Sequence, residues 1–281
     1  MNYERLWQRL TTIYDAGEAK AVVRMVLEMC FGLSMTDILC GKVEQMGEPE
    51  QQELESMMVR LEKAEPVQYV IGIADFCGRP FHVEPGVLIP RPETEELCQW
   101  IVSVQGGRWR TEEDHSILDV GTGSGCLAIT LALELPGTKV TAWDISDSAL
   151  CIAQENARRL NASVTFEHRD ALHPLPITPF DLIVSSPPYI SETERDGMAK
   201  NVLDYEPHEA LFAPPNEPAL FYQRISDYAI QSLKSGGQLF FELNPLTATD
   251  VCHYLQHLGF EAIELRQDQF GKQRFLKATK I

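Results

Sequence analysis

Along residues 1–66 apolar side chains recur every three or four positions. Leu6, Leu10, Ile13 and Tyr14 are followed by Val22, Val23, Val26 and Leu27, and then by Leu54, Met57, Met58 and Leu61. That period gathers them on single helix faces. Breaks at Gly32 with Ser34, and at Gly47-Glu48-Pro49, divide the run into separate helices. Residues 1–66 are therefore expected to form a small helical bundle. From 67 to 92 the pattern changes: Gly72, Gly78, Pro80, Pro85, Gly86, Pro90 and Pro92 punctuate short apolar pieces at 67–73 and 87–89. This predicts a linker containing a β-hairpin.

Residues 93–281 alternate between the two periods. Apolar strands are predicted at 117–120, 139–144, 164–167 and 180–185, with helices at 127–134 and 148–160 between them. Such alternation implies a mostly parallel α/β sheet. The end of the chain differs. A strand at 238–243 and a helix at 249–258 precede strands at 262–267 and 273–278, which are separated by a turn near Phe270-Gly271. That last pair is expected to close the sheet edge as an antiparallel hairpin.

Charge narrows the function classes. The chain of 281 residues carries 24 Lys and Arg against 41 Asp and Glu, a net charge of -17, and phosphate-led nucleic-acid binding is not its expected primary work. The first twenty residues hold Glu4, Arg5, Arg9, Asp15, Glu18 and Lys20, and no long uninterrupted apolar run follows. A cytoplasmic protein with no membrane partner is expected. The seven cysteines lack a C-x-x-C pair, so reduced thiols and no metal site are expected. His253 and His257, four apart on a predicted helix, read as a solvated face. Glu93, Glu95 and Glu96 read as charges favoured at a helix N-terminus.

The strand at 117–120 runs directly into Gly121-Thr122-Gly123-Ser124-Gly125 and then into a helix. Glycines there let the backbone turn sharply and approach a ligand. Asp144 ends the next strand, where a carboxylate can accept both hydroxyl hydrogens of a ribose. Dinucleotides and S-adenosylmethionine both use this geometry. The spacing here is one residue tighter than the dinucleotide fingerprint, and Asp119 stands two residues before the loop. An acidic site of this kind suits the cationic S-adenosylmethionine. Asp170, after the third strand, can accept the adenine amino hydrogens, with Ala171 beside it.

The strand at 180–185 stops at Ser186-Pro187-Pro188-Tyr189. Two prolines remove two donors and fix φ, leaving carbonyls to face a ligand. An amide nitrogen is a poor nucleophile because its lone pair is delocalised. Acceptors that bind its hydrogens aim it at a methyl group and favour the positive charge that grows on it, so no strong general base is needed. Tyr189 offers an aromatic face to the planar acceptor and to a sulfonium.

Over nearly its whole length the chain resembles the protein-(glutamine-N5) methyltransferases of the HemK/PrmC type. The likeness is carried by Pro66-Val67-Gln68-Tyr69-Val70-Ile71-Gly72, by Gly86-Val87-Leu88-Ile89-Pro90-Arg91-Pro92-Glu93-Thr94-Glu95, and by the glycine loop with Leu118-Asp119-Val120 before it. It continues through Asp144-Ile145-Ser146, Asn156-Ala157, Asp170-Ala171-Leu172, Tyr205-Glu206-Pro207 and Phe241-Glu242. The resemblance implies a Rossmann-like S-adenosylmethionine-dependent methyltransferase sheet over 93–281. It also implies helices over 1–66 that dock a peptide-chain release factor, and N5 methylation of the glutamine in that factor's Gly-Gly-Gln motif. A monomer is expected. By the same likeness Asp119, Gly121, Thr122, Gly123, Ser124, Gly125, Asp144, Asp170, Ala171 and Ser186 hold the methyl donor. Ser186, Pro187, Pro188 and Tyr189 hold the substrate, with Ser186, Pro187 and Tyr189 acting in catalysis. Arg91 and Leu88 are placed near the pocket.

One position departs from the pattern. The family tetrapeptide is Asn-Pro-Pro-Tyr, and Ser186 takes the asparagine's place. A serine hydroxyl is shorter and must donate its hydrogen elsewhere to act as an acceptor. Three readings stay open: a natural variant working through the hydroxyl or a bridging water, a catalytically impaired release-factor-binding homologue, or another substrate. Ser-Pro-Pro-Tyr is the form found in cytosine-N4 DNA methyltransferases, which makes an amino-methylating DNA enzyme the main rival.

Overall fold

The computed structural model describes residues 2–107, 109, 114–173 and 177–281. The chain divides into two compact units, one of Met1–Ile73 with Ala199–Tyr205, the other of Ala74–Met198 with Glu206–Ile281.

The first unit is helical: α1 (Tyr3–Arg9), α2 (Ala16–Phe31), α3 (Met35–Leu39), α4 (Glu48–Leu61) and α5 (Val67–Ile71). Asp15 caps α2 by accepting from the Gly17 and Glu18 amides, and Gly32 ends it in the left-handed region at φ 64°. The periodic residues Leu6, Leu10, Val23, Val26, Leu27, Leu54, Met58 and Leu61 form its core. Arg9 of α1 fastens the outside by pairing with Glu55 and Glu62. The apolar piece expected at 67–73 in the hairpin linker is corrected: its first five residues are α5. Pro66 fixes φ at the helix start, and Gly72 closes the helix in the left-handed region.

In the second unit β1 (Ile73–Phe76) and β2 (Arg79–His82) form the expected two-stranded hairpin, although Ile73 itself groups with the first unit. Then come α6 (Pro92–Gln105), β3 (His115–Val120), α7 (Cys126–Glu134), β4 (Thr138–Asp144), α8 (Asp147–Leu160), β5 (Val164–His168) and β6 (Phe180–Ser185). The short helices α9 (Lys200–Tyr205) and α10 (His208–Leu211) and the longer α11 (Leu220–Ser232) lead to β7 (Leu233–Glu242), α12 (Ala248–Leu258), β8 (Phe260–Gln267) and β9 (Gln273–Lys280). The helices between β6 and β7 are an addition to the sequence reading.

Seven strands lie in the order β5-β4-β3-β6-β7-β9-β8. The first five are parallel, and β9 and β8 complete the edge antiparallel. Ile117, Val140, Leu182 and Val184 pack with α6 and α7 on one face, while Leu118, Val120 and Ile183 pack with α11 and α12 on the other. Strands buried on both faces explain their continuous apolar runs. The strand order reverses direction between β3 and β6, and parallel sheets open a ligand crevice at such a point beyond the carboxyl ends of the strands.

Candidate functional site

Register sets the site. Val120 of β3 pairs with Ser185 of β6, so the glycine loop and the Ser-Pro-Pro-Tyr segment leave the same sheet edge side by side. Asp144 closes β4 next to them, and the chain after β5 carries Asp170. The residues singled out in the sequence thus share one edge.

Gly121, Gly123 and Gly125 all have positive φ, at 78°, 55° and 81°. Beyond the Cα positions of Gly121 and Gly123 there is open space, whereas a Cβ on Gly125 would come within 2.8 Å of Ile129 Cδ1 and 3.0 Å of Ala153 Cβ. The first two therefore leave room for a ligand, and the third lets α7 and α8 close up. Asp144 ties the loop down: its Oδ2 accepts from the Gly123 amide at 2.8 Å and its Oδ1 from the Ser146 amide at 2.9 Å. Burial holds this carboxyl above the usual carboxylate range.

Asp119 is 1% exposed and accepts from Thr122 Oγ1 at 2.7 Å. Burial pushes it up to about 7, against the smaller opposing effect of the Thr122 hydrogen bond. Asp170 accepts from the Leu172 amide and lies 2.5 Å from His173 Nδ1, so its carboxylate shapes the loop in which Ala171 sits.

On the other side of the crevice Pro187 is buried and Ser186 half-buried. Among the described residues no hydrogen bond occupies the Pro187 carbonyl. The Tyr189 hydroxyl donates to Glu242 Oε1 at 2.8 Å, and the Arg274 guanidinium lies 5.7 Å from its ring centroid. Burial and the Glu242 charge raise the Tyr189 phenol well above its ordinary value.

Several participants carried no role in the sequence reading. Glu242, at the end of β7, receives hydroxyls from Ser186, Tyr189 and Thr94. Asn156 on α8 is fully buried. Its Oδ1 accepts from the His82 amide at 2.7 Å, and its Nδ2 donates to the carbonyls of His82 and Ser124, both at 2.9 Å. It therefore locks β2 to the glycine loop. The sequence signal was a polar residue on the apolar face of an amphipathic helix. Asn156→Ala is expected to lower stability by about 2 kcal/mol in urea denaturation, because water entering the vacated space restores only part of this bonding. Arg91 pairs with buried Glu206 at 2.6 Å, and Glu206 also accepts from the Ile89 amide. Glu95 stands in the first turn of α6 as expected, and its carboxylate also accepts from the Cys77 amide and fixes the hairpin turn.

The donor set fits S-adenosylmethionine. Two carboxyls, Asp119 and Asp144, with open space over two glycines and a cluster of acceptors suit a cationic ligand bearing hydroxyls better than a pyrophosphate. Among the described residues no cluster could hold a metal ion and no helix is long and apolar enough to cross a membrane.

Comparison with known proteins agrees with the geometry. Residues 6–72 match the family model described as PrmC N-terminal domain, and residues 108–209 that described as methyltransferase small domain. The chain is 43% identical over 275 residues to a release factor glutamine methyltransferase of Bacteroides thetaiotaomicron, covering 97% of each. It is 37% identical to one of Flavobacterium psychrophilum, covering 97% of this chain and 95% of that one. A solved methyltransferase of Pyrococcus furiosus shares the fold at TM-score 0.52 and 18% identity, over 83% of this chain and 99% of that one. A T. thermophilus 16S rRNA methyltransferase in complex with AdoMet and guanosine does so at TM-score 0.55 and 21% identity, over 74% and 50%.

Proposed function

The chain belongs to the release factor glutamine methyltransferase family, and from that premise we propose that it methylates the N5 amide nitrogen of the Gly-Gly-Gln glutamine in peptide-chain release factors. The observation that carries this reading is the Val120–Ser185 register, which sets a donor loop and an acceptor corner side by side. Bound S-adenosylmethionine supplies an electrophilic methyl group on a cationic sulfur. Gly121–Gly125 and Asp144 hold its methionine and ribose parts, Asp119 faces its positive charge, and Asp170 with Ala171 lies by the adenine.

Ser186 Oγ and the Pro187 carbonyl accept the two amide hydrogens of the glutamine. This would aim the nitrogen lone pair and stabilise the charge that develops as the N–C bond forms and the methyl's bond to sulfur breaks, leaving a neutral thioether; the nitrogen then loses one of its two hydrogens to water. Pro188 keeps the corner rigid, and Tyr189 packs beside the amide plane. The helical unit, residues 1–66 in the sequence reading, docks the release factor, and the enzyme works as a cytoplasmic monomer. Relatives over nearly the full length favour this reading over the DNA one.

The test incubates the chain and a labelled methyl donor with a release factor and, separately, with a cytosine-containing duplex. A gain of one methyl on the Gly-Gly-Gln glutamine is expected. Methylation of the duplex alone would instead restore the DNA reading.

Asp119 gives the site a pH dependence. Its carboxyl stands at about 7 in the folded chain, against about 3.9 when unfolded. Between those values the unfolded chain binds fewer protons, so this group's contribution to stability falls as pH rises from about 4 to about 7 and is flat above. Donor affinity runs the other way, because a cation favours the ionised form. Calorimetry is expected to show S-adenosylmethionine binding about tenfold tighter at pH 8 than at pH 6, and Asp119→Asn to flatten that rise.

A further inference from the structure

The parallel pairing of β6 with β7 puts Ser185 opposite Phe241, so the next residue of each strand, Ser186 and Glu242, meets at the acceptor corner. Glu242 is 1% exposed. Its Oε2 accepts from Ser186 Oγ at 3.0 Å and from Thr94 Oγ1 at 2.7 Å, and its Oε1 from the Tyr189 hydroxyl at 2.8 Å. The donors come from α6 and from the segment after β6. A carboxylate so deeply placed persists only when its lone pairs are satisfied, and here hydroxyls alone supply the side-chain donors.

A hydroxyl has one hydrogen and two lone pairs. Left to rotate, the Ser186 hydrogen would meet an amide N–H head on in part of its orientations, donor against donor. With that hydrogen held by Glu242, Oγ has only lone pairs to offer the crevice. We propose that Glu242 is a positioning residue for methyl transfer: by holding the Ser186 hydrogen it makes the hydroxyl an obligate acceptor for the glutamine amide. No bond to Glu242 forms or breaks. Its work is to fix the direction of the Ser186 dipole before substrate arrives, so that no reorientation is needed as charge grows on the nitrogen. This accounts for how a shorter side chain with its own hydrogen can serve where acceptors are required. The inference rests on the glutamine-methylating reading and adds a residue to it.

The experiment is a double-mutant cycle with Glu242→Gln, Ser186→Ala and both together. Turnover and KM are measured on a release factor, S-adenosylmethionine binding by calorimetry, and folding by the unfolding midpoint. Gln offers an amide hydrogen where a carboxylate offered a lone pair. Glu242→Gln is expected to lower kcat by roughly 10- to 100-fold with KM and donor affinity within about threefold. Added to Ser186→Ala it should cost at most about threefold more, since no hydroxyl remains to direct. A carboxylate that only braces the fold would multiply the two losses instead, and that result overturns the proposal, as would an unchanged kcat in Glu242→Gln. Should Glu242→Gln unfold, Glu242→Asp carries the same test by keeping the charge and withdrawing it one methylene. An unsubstituted chain that leaves the glutamine unmethylated overturns the underlying reading; multiplied losses in an active chain overturn the role of Glu242 alone.

Discussion

Ser186→Ala is expected to lower methyl transfer to the release-factor glutamine by about 10²- to 10³-fold while S-adenosylmethionine binding stays within about threefold. The magnitude follows from what the amide lacks. Its nitrogen lone pair is spread into the carbonyl, so attack depends on acceptors that draw on the N–H bonds as positive charge gathers. On the proposed mechanism the corner supplies two, the Ser186 hydroxyl and the buried Pro187 carbonyl, and alanine removes the first outright. The donor half of the site keeps its main support, because Asp144 at the end of β4 holds the glycine loop after β3 through bonds that do not involve Ser186. Single-turnover transfer measured beside donor titration separates the two. Ser186→Asn, which carries the longer acceptor of the related enzymes, is expected to equal or exceed the parent rate. Transfer by Ser186→Ala at the parent rate would remove Ser186 from the mechanism.

The second large effect is on folding. Gly125→Ala is expected to cost about 4 kcal/mol, combining about 1–2 for a side chain in the left-handed region with about 1–3 for overpacking. The added Cβ meets Ala153 Cβ at 3.0 Å, where neither group has a flexible end to swing aside. Gly121→Ala has nearly the same φ but open space around it, so only the backbone strain of about 1 kcal/mol is expected, while donor affinity falls because the ligand's room is filled. Urea denaturation and donor titration of the two variants should rank them in opposite orders. Equal losses of stability would show that α7 and α8 do not close on Gly125.

The difference between legible and hidden parts of the molecule follows from the range of the interactions. The strands β3 and β6 were readable as short apolar runs, β4 and β5 by the alternation of Val140 with Ala142 and of Val164 with Phe166, and the edge hairpin because Phe270-Gly271 interrupts its two halves. The shared position of the loop and its acids was readable because a glycine turn directly after one apolar strand and an acid at the end of the next both show in the order of residues. The 67–71 segment is ambiguous in sequence, since four apolar residues around Gln68 suit a helix turn and a strand equally, and the flanking Pro66 and Gly72 decide it. Between β6 and β7, α9 and α10 are only six and four residues long, so no period had length to emerge, whereas the 13-residue α11 carries Tyr222, Ile225 and Ala229 at helical spacing and was missed. Glu242 follows Phe241 at the end of a strand with no spacing that marks a role. Its partners stand 56, 53 and 148 positions away, and nothing in a single sequence announces that three hydroxyls will converge on one acid.

The path of the backbone has a final consequence. The helical unit is not one continuous stretch: Ala199–Tyr205 is inserted from far along the chain, and the Tyr205 hydroxyl donates to the Lys63 carbonyl within it. A gene fragment ending near Ile73 would encode that unit with one piece missing. Such a cut would also remove the Tyr205 hydroxyl from the Lys63 carbonyl, so the helical unit is complete only in a chain that runs on through Tyr205.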